Sequence, residues 1–134
     1  MANPVKSTSK KPSKKQKKLP SSILVKIKAG KNNTIITFTG QDHQPIEGGG
    51  GGYGGGQKGA RKGTSFAAEQ TANTIARKLK ERGAEDCIVY INGTGNGKEG
   101  AVKGISDAGI RVLTIVDVTG YPHNGCRQAK KKRV

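Results

Sequence analysis

A glycine loop in the second half of the chain has the spacing of a phosphate-binding motif. Gly95, Gly97 and Gly100 form the pattern G-x-G-x-x-G, which follows a predicted strand and opens a predicted helix. Backbone N–H groups at such a helix N-terminus can bind a phosphate. Asp117 lies near the position of the ribose-binding acid in dinucleotide sites. The motif therefore allows two chemistries, a pyrophosphate cofactor or the phosphodiester backbone of a nucleic acid.

The dinucleotide alternative lacks the other features of an oxidoreductase. The chain has 134 residues, which allows one domain and leaves no second domain for a substrate. Its serines, histidines and acids show no nucleophile elbow or catalytic triad. Lys98, just inside the predicted helix, suits a polyanion. We therefore predict no enzymatic activity and no cofactor, and expect Gly95, Gly97 and Lys98 to bind a nucleic-acid backbone.

The cysteines and histidines do not form a metal-binding pattern. Cys87 and Cys126 lie far apart, and neither has a C-x-x-C partner. His123 and Cys126 could supply half of a site, but the other half is not apparent. Widely spaced cysteines of this kind indicate a reducing compartment. We predict no metal and no disulfide framework.

The positive charge of the chain is concentrated at its two ends. Lys and Arg total 25 against nine Asp and Glu, which gives a formal net charge of +16. Residues 1–20 hold seven lysines, residues 127–134 hold five cations, and neither segment has an acid. Runs of like charge stay disordered until a polyanion neutralises them. We predict a basic tail over residues 1–20, a folded domain over residues 21–126 and a second basic tail over residues 127–134.

Nucleic acid is the polyanion that fits these tails best. A membrane surface requires a large apolar helical face, and the first twenty residues offer only Met1, Ala2, Val5 and Leu19. The N-terminus also lacks the apolar segment of a secretory signal and the arginines of a transit peptide. The composition therefore favours a nucleic-acid-binding protein without a membrane partner. Tails that only increase solubility are the alternative.

The pattern of apolar residues predicts an α/β domain with a mixed sheet. The expected elements are strands over residues 23–29 and 34–39, a helix from Thr64 or Ser65 to Gly83, a strand over 87–91, a helix from the glycine loop to Gly109, and a strand over 110–118. The glycine-rich run 48–56 predicts a flexible loop, with a third strand at its start as the alternative. The strand-helix-strand order predicts a parallel crossover with both faces of the sheet covered.

Few aromatic side chains are available for stacking on nucleotide bases. Phe38 and Phe66 are expected in the core, and Tyr90 lies in an apolar strand. Tyr53 and Tyr121, both in predicted loops, are the rings placed to stack on bases. The sequence therefore favours binding to the backbone of folded RNA over recognition of single strands.

Three short motifs stand at the C-terminal end: DVT at residues 117–119, PHNGCR at 122–127 and KKKRV at 130–134. Together they closely resemble the end of bacterial-type small-subunit ribosomal protein eleven. Other segments are similar to the same family in order and spacing: NNTI at 32–35, RKGTSFAA at 61–68 and GTGNGK at 93–98. The resemblance spans about residues 23–134.

This resemblance implies a fold, a location and a set of partners. The fold would be an RNase-H-like α/β ribosomal domain with a mixed sheet and two helices, without nuclease chemistry. The location would be the platform of the small ribosomal subunit, where the chain would bind small-subunit ribosomal RNA near the messenger RNA exit. Ribosomal proteins seven and eighteen would be its neighbours. The implied role is structural support of translation.

The chain departs from the family pattern at several positions. Thr94 and Asn96 replace prolines of the glycine loop, Lys98 replaces an arginine, and Gln128-Ala129 replace two prolines of the tail. Such departures favour an organellar ribosome, with the mitochondrial matrix slightly preferred over the bacterial cytoplasm. A free nucleic-acid chaperone that uses the same tails is the alternative function.

The residues expected to bind RNA are cations, polar turn residues and glycines of the tails and loops. They are Lys14, Lys15, Lys17, Lys18, Lys31, Asn32, Asn33, Lys58, Arg61, Lys62, Gly95, Gly97, Lys98, His123, Asn124, Arg127, Lys130, Lys131, Lys132 and Arg133.

The pair Asn124-Gly125 predicts either a tight turn or a chemical modification. Asn-Gly suits a turn of type I′. Glycine also has no side chain to shield its nitrogen, so that nitrogen can attack the Asn124 carboxamide and release ammonia. The resulting succinimide opens mainly to isoaspartate, which adds one methylene to the main chain and one negative charge. The sequence leaves both outcomes open.

Overall fold

The computed structural model describes residues 19–52 and 58–134. In this part of the chain the elements follow the predicted order. They are β1 (Ser22–Ala29), β2 (Thr34–Thr39), β3 (Pro45–Gly49), a short 3-10 helix (Gly59–Gly63), α1 (Ser65–Glu81), β4 (Asp86–Asn92), α2 (Gly97–Asp107) and β5 (Arg111–Asp117).

The five strands form one mixed sheet in the order β3-β2-β1-β4-β5. The pairs β3/β2 and β2/β1 are antiparallel, whereas β1/β4 and β4/β5 are parallel. The predicted α/β class, the mixed sheet and the two helices are confirmed. The start of the glycine-rich run forms the third strand, because Gly48 pairs with Thr37 and Gly49 with Ile36.

The core lies between one face of the sheet and the two helices. Alternate residues of β1 are buried, and Ile23, Val25 and Ile27 pack in one cluster with apolar residues of both α1 and α2. The intervening Lys26 and Lys28 are exposed on the opposite face. The prediction that both faces are covered is therefore wrong for the part of the chain that the structure describes.

The direction of the two crossovers explains why both helices lie on the same face. The strand β3 is parallel to β4, so the connections β3-α1-β4 and β4-α2-β5 both cross the sheet in one direction. Crossovers of the same hand that run in the same direction place their helices on the same face. The helices α1 and α2 consequently lie side by side and run parallel, with their N-termini at the same end of the sheet.

Two glycines of α2 allow this close approach. A Cβ atom on Gly100 would overlap the Ser65 carbonyl oxygen, and one on Gly104 would overlap the Glu69 carbonyl oxygen. The ion pair between Lys103 Nζ and Glu69 Oε1, at 3.2 Å, joins the same two helices. The third glycine of the G-x-G-x-x-G pattern thus serves helix packing.

The ends of both helices match the sequence prediction. Thr64 is the N-cap of α1, and its hydroxyl oxygen accepts a hydrogen bond from the Ala67 N–H at 3.3 Å. Gly83 and Gly109, which follow α1 and α2, have φ angles of 101° and 89°. Glycine adopts this left-handed conformation without steric cost, so these two positions end the helices.

Candidate nucleic-acid interface

Most of the predicted RNA-binding residues of the domain meet at one edge of the sheet. Because β1, β4 and β5 are parallel, their C-terminal ends lie at the same edge. The connections that start or pass there form what we call the loop cluster, defined as residues 30–33, 50–52, 58–63 and 93–98. The N-termini of α1 and α2 lie at this edge as well.

The glycine loop is held against the end of β1. The Gly95 N–H donates a hydrogen bond to the Ala29 carbonyl at 3.1 Å, and a Cβ on Gly95 would overlap the Gly30 carbonyl oxygen. A Cβ on Gly97 would overlap Thr34 Oγ1, and both glycines are buried. Close packing within the protein therefore requires glycine here. The N–H of Gly95 is already engaged, which leaves later N–H groups to meet a phosphate.

The start of α2 is open to such a ligand. Its N-cap residue Asn96 makes no side-chain capping hydrogen bond. A cleft of about 400 Å³ lies beside it, lined by Ser65, Thr94, Gly95, Asn96, Lys98 and Glu99. The cleft lies between the positive ends of two helix dipoles. Uncapped N–H groups in such a place suit a phosphate oxygen.

Close backbone contacts also join the other segments of the loop cluster. A Cβ on Gly51 would overlap the Lys62 carbonyl oxygen, and one on Gly63 would overlap the Lys31 carbonyl oxygen. These contacts place the backbones of Lys31 and Lys62 near each other. Residues 48–52 are therefore packed, and the prediction of a flexible loop is wrong for them. Residues 53–57, with Tyr53, lie outside the described residues.

The cations of the loop cluster form no ion pair with a described residue. Ion pairs among residues 19–52 and 58–134 join Lys103 to Glu69 and Arg111 to Asp86, and neither pair belongs to the cluster. Lys31, Lys58 and Arg61 are exposed, whereas Lys62 and Lys98 are half-buried. Five cations in this state raise the positive potential of the edge and favour a polyanion there.

The acid predicted for the dinucleotide alternative has a local role. Hydrogen bonds from the Thr119 hydroxyl at 2.6 Å and the Thr119 N–H at 3.0 Å hold the pKa of the Asp117 carboxyl below its usual value. Lys98 contributes to this lowered pKa by its charge. The Asp117 carboxylate thus shapes the turn that follows β5, an arrangement that favours the nucleic-acid alternative over a ribose-binding acid.

The C-terminal segment leaves the domain at the same edge. The Val118 N–H donates to the Ile91 carbonyl at 2.8 Å, and the Gly93 N–H donates to Thr119 Oγ1 at 3.1 Å. These bonds tie the base of the tail to the glycine loop. All residues from 117 to 134 are exposed. The tail therefore continues outward from the loop cluster. Its predicted RNA-binding residues are His123, Asn124, Arg127, Lys130, Lys131, Lys132 and Arg133.

The turn at Asn124 differs from the prediction. Asn124 has a φ of 66°, but Gly125 is not among the described glycines with positive φ. A type I′ turn requires positive φ at both central residues, so that geometry is wrong. Asn tolerates the left-handed conformation better than most residues do.

The structure groups some predicted residues and leaves others apart. The loop cluster contains Lys31, Asn32, Asn33, Lys58, Arg61, Lys62, Gly95, Gly97 and Lys98. The N-terminal Lys14, Lys15, Lys17 and Lys18 lie outside the described residues. The described chain starts at Leu19, before β1, and therefore at the sheet edge opposite the loop cluster.

Sequence reasoning missed two features, the cleft beside the start of α2 and the exposure of Phe66. Thr94 and Asn96 are exposed beside the start of α2, and Ser65 joins them in the cleft. Phe66, predicted in the core, is 57% exposed. It precedes the buried Ala68 by two positions, which is roughly 200° around a helix. The helical period, applied strictly, would have placed Phe66 on the outer face.

The structure gives no metal site within residues 19–52 and 58–134, where no cluster of three His, Cys, Asp or Glu could hold an ion. Burial, with the charge of Asp86, raises the pKa of the Cys87 thiol to about 11. Cys126 is exposed. No helix among the described residues is long and apolar enough to span a membrane.

Comparisons with known proteins identify the family of the chain. The family model described as ribosomal protein S11 matches residues 23–133. Small ribosomal subunit protein uS11 of Solibacter usitatus is 46% identical over 132 residues, which cover 98% of this chain and 97% of the relative. The uS11c of Tupiella akineta is 42% identical over 134 residues, the whole of both chains. The uS11 of Thermus thermophilus is 44% identical over 125 residues, 92% of this chain and 96% of the relative. The chain belongs to the ribosomal protein S11 family.

Proposed function

We propose that this chain is a structural constituent of the small ribosomal subunit and binds ribosomal RNA through the loop cluster and both basic tails. Its family is a structural, non-enzymatic component of that subunit. The observation that carries the RNA-binding assignment is the loop cluster itself. It brings five cations without ion pairs to the edge where two helix N-termini and the C-terminal tail meet.

Each part of this edge supplies a different kind of contact with RNA. The exposed Arg61 can bind a phosphate with two parallel hydrogen bonds, whereas Lys31 and Lys62 act as point charges. The open N-terminus of α2 supplies backbone N–H groups. Contacts of these kinds read the position of the RNA backbone and carry little base specificity. This chemistry fits a protein that holds folded ribosomal RNA in place.

The two tails join the domain at opposite edges of the sheet. The N-terminal tail joins the domain before β1, and the C-terminal tail leaves after β5 at the other edge. The eight residues of β1 span roughly 26 Å at the usual rise per residue. The tails can therefore reach RNA segments that are separated by at least that distance. We propose that the protein bridges several RNA helices in this way.

The finer location follows from the family resemblance. It supports a position on the platform near the messenger RNA exit, beside ribosomal proteins seven and eighteen. The relatives named above come from bacteria and, for the uS11c protein, from a chloroplast lineage. They give no support to the mitochondrial preference, which stays a prediction. Localisation to the ribosome is supported by the family.

A density gradient of a cell extract tests the proposed function against the chaperone alternative. The tagged full-length chain should migrate with small ribosomal subunits and remain there after a wash at moderate salt. A chain that stays at the top of the gradient, although it binds RNA in isolation, would instead be a free nucleic-acid chaperone.

A further inference from the structure

The face of the sheet opposite the helices carries a mixed apolar and basic surface. On this face Tyr90 of β4 lies beside Lys26 of β1 on one side and Val116 of β5 on the other. In the next row Lys28 lies beside Asn92. Tyr90 and Val116 are half-buried, whereas both lysines and Asn92 are exposed. No described element covers this face.

A groove of about 410 Å³ lies on this face, and its volume is within the usual range of a small-ligand site. Its side chains come from β1, β4, the turn after β2 and the residue after β5. They are Lys26, Lys28, His43, Tyr90, Asn92 and Val118, with the backbone of Ile27 below. A cleft of this size can hold one nucleotide.

The positive charge of the groove indicates which kind of molecule it can bind. None of the described residues that line it is an acid. Neither Lys26 nor Lys28 forms an ion pair with a described residue. The seven lysines of residues 1–20 and the five cations of residues 127–134 would be repelled by these two lysines. A second copy of the chain would bring the same two lysines face to face. The occupant is therefore an anion that also has a flat apolar part.

The position of the groove connects it with the RNA-binding edge. Val118, which lines the groove, is the first residue of the C-terminal segment and is 47% exposed. Lys28 and Asn92 lie at the ends of their strands nearest the loop cluster. An RNA strand bound along the loop cluster and the tail can therefore continue into the groove.

We propose that this groove binds a single unpaired nucleotide of RNA, with the base against Tyr90 and the flanking phosphates at Lys26 and Lys28. The inference rests on the proposed function, because it assigns a second and base-dependent surface to the same RNA-binding protein. Stacking of a base on an aromatic ring accepts any base, so the groove favours an unpaired nucleotide over a particular sequence. Asn92 at the rim can donate to or accept from a base edge.

The test compares two RNA probes with equal phosphate numbers. One is a uridine decamer, and the other is an abasic ribose-phosphate decamer of the same length. Fluorescence anisotropy measures the affinity of the full-length chain for each probe. The measurement is made on the parent and on the Tyr90→Leu variant, which keeps an apolar side chain and removes the ring. Tyr90→Phe keeps the ring. Leu113→Ala is the control, because Leu113 is 52% exposed on β5 and does not line the groove.

We expect Tyr90→Leu to weaken binding of the uridine decamer roughly tenfold and to leave the abasic decamer unchanged, because only the first probe has bases to stack. Tyr90→Phe and Leu113→Ala should match the parent. An equal loss on both probes, or no loss on either, would overturn the inference. Thermal unfolding of each variant checks that the domain remains folded.

A second measurement uses the parent protein within purified small subunits. Ultraviolet cross-linking followed by peptide mass spectrometry should find a nucleotide on Tyr90, Lys26 or Lys28. A neighbouring protein attached at these positions would show that the groove is a protein-docking site and would overturn the inference. Such a result would leave the proposed function intact, since co-migration with small subunits tests that function separately.

Discussion

The carboxamide oxygen of Asn33 accepts a hydrogen bond from the Gly51 N–H at 2.9 Å, and this bond ties the β1–β2 turn to the glycine-rich segment. The same oxygen accepts a second bond, also 2.9 Å long, from the Thr34 N–H. Thr71 of α1 donates to the Gly50 carbonyl at 3.1 Å on the other side of the segment. The sequence predicted that Asn33 binds RNA. In the structure its side chain instead joins two segments of the loop cluster by hydrogen bonds.

Replacement of Asn33 by alanine should destabilise the domain by about 1–3 kcal/mol, because two backbone N–H groups lose their acceptor in a partly buried site. Asn32→Ala is the matched control, since Asn32 is the exposed neighbour in the same turn. Its free energy of unfolding should change by less than about 0.5 kcal/mol. Urea unfolding of both variants provides the measurement. Equal stability of the two variants would contradict the structural role of Asn33.

The glycine loop offers a second test of packing. Gly97→Ala should cost about 1–3 kcal/mol of stability, since its Cβ would meet the fully buried Thr34 side chain. Alanine favours a helix more than glycine does, so propensity alone predicts the opposite sign. Gly120→Ala is the control, because nothing lies within 4 Å of a Cβ there. A stabilised Gly97→Ala variant would show that the contact is not tight.

These glycines also show where prediction from the sequence ends. The alternation in β1, the Thr64 cap and the stop at Gly83 are local signals, and each element that they predicted is present. The contact between Gly97 and Thr34 joins residues far apart in the chain and depends on how β1, β2 and α2 assemble. A spacing of glycines cannot distinguish such packing from phosphate binding. The open face of the sheet was missed for a related reason, since it depends on the direction of both crossovers.

The tails should govern the salt dependence of RNA binding. Each phosphate contact lowers the logarithm of the affinity by roughly 0.7–0.9 per tenfold increase in salt. Removal of residues 1–18, which keeps the core contact of Leu19, or of residues 127–134 should therefore flatten this slope while the domain stays folded. Filter binding at several salt concentrations, with circular dichroism as the control for folding, measures both. Slopes that stay unchanged in both truncated chains would refute the electrostatic role of the tails.

Asn124 should convert to isoaspartate in mature subunits, as the exposed Asn124-Gly125 pair leaves the glycine nitrogen accessible. Two other Asn-Gly pairs serve as internal controls. Gly93 donates its N–H to Thr119 Oγ1, and Gly97 is buried at the start of α2, so both backbones are held in place. Peptide mass spectrometry should find the amide-to-acid mass gain, with isoaspartate fragmentation, at Asn124 and at neither control. Unmodified asparagine at all three positions would contradict this prediction, and the role of Asn124 would then be to form the turn.

We propose that the loop cluster binds RNA through specific cations and not through net charge alone. The chain contains two Arg-Lys pairs that allow a matched comparison: Arg61-Lys62 in the loop cluster and Arg77-Lys78 in the C-terminal half of α1. Replacement of either pair by two glutamates changes the net charge by the same amount.

The deciding measurement is the affinity of both full-length variants for small-subunit ribosomal RNA at one fixed salt concentration. We expect the Arg61→Glu/Lys62→Glu variant to bind on the order of tenfold more weakly than the Arg77→Glu/Lys78→Glu variant. Urea unfolding of both variants checks that each domain remains folded. Equal affinities of the two variants would contradict this proposal. They would show that RNA binding by this chain depends only on its overall charge.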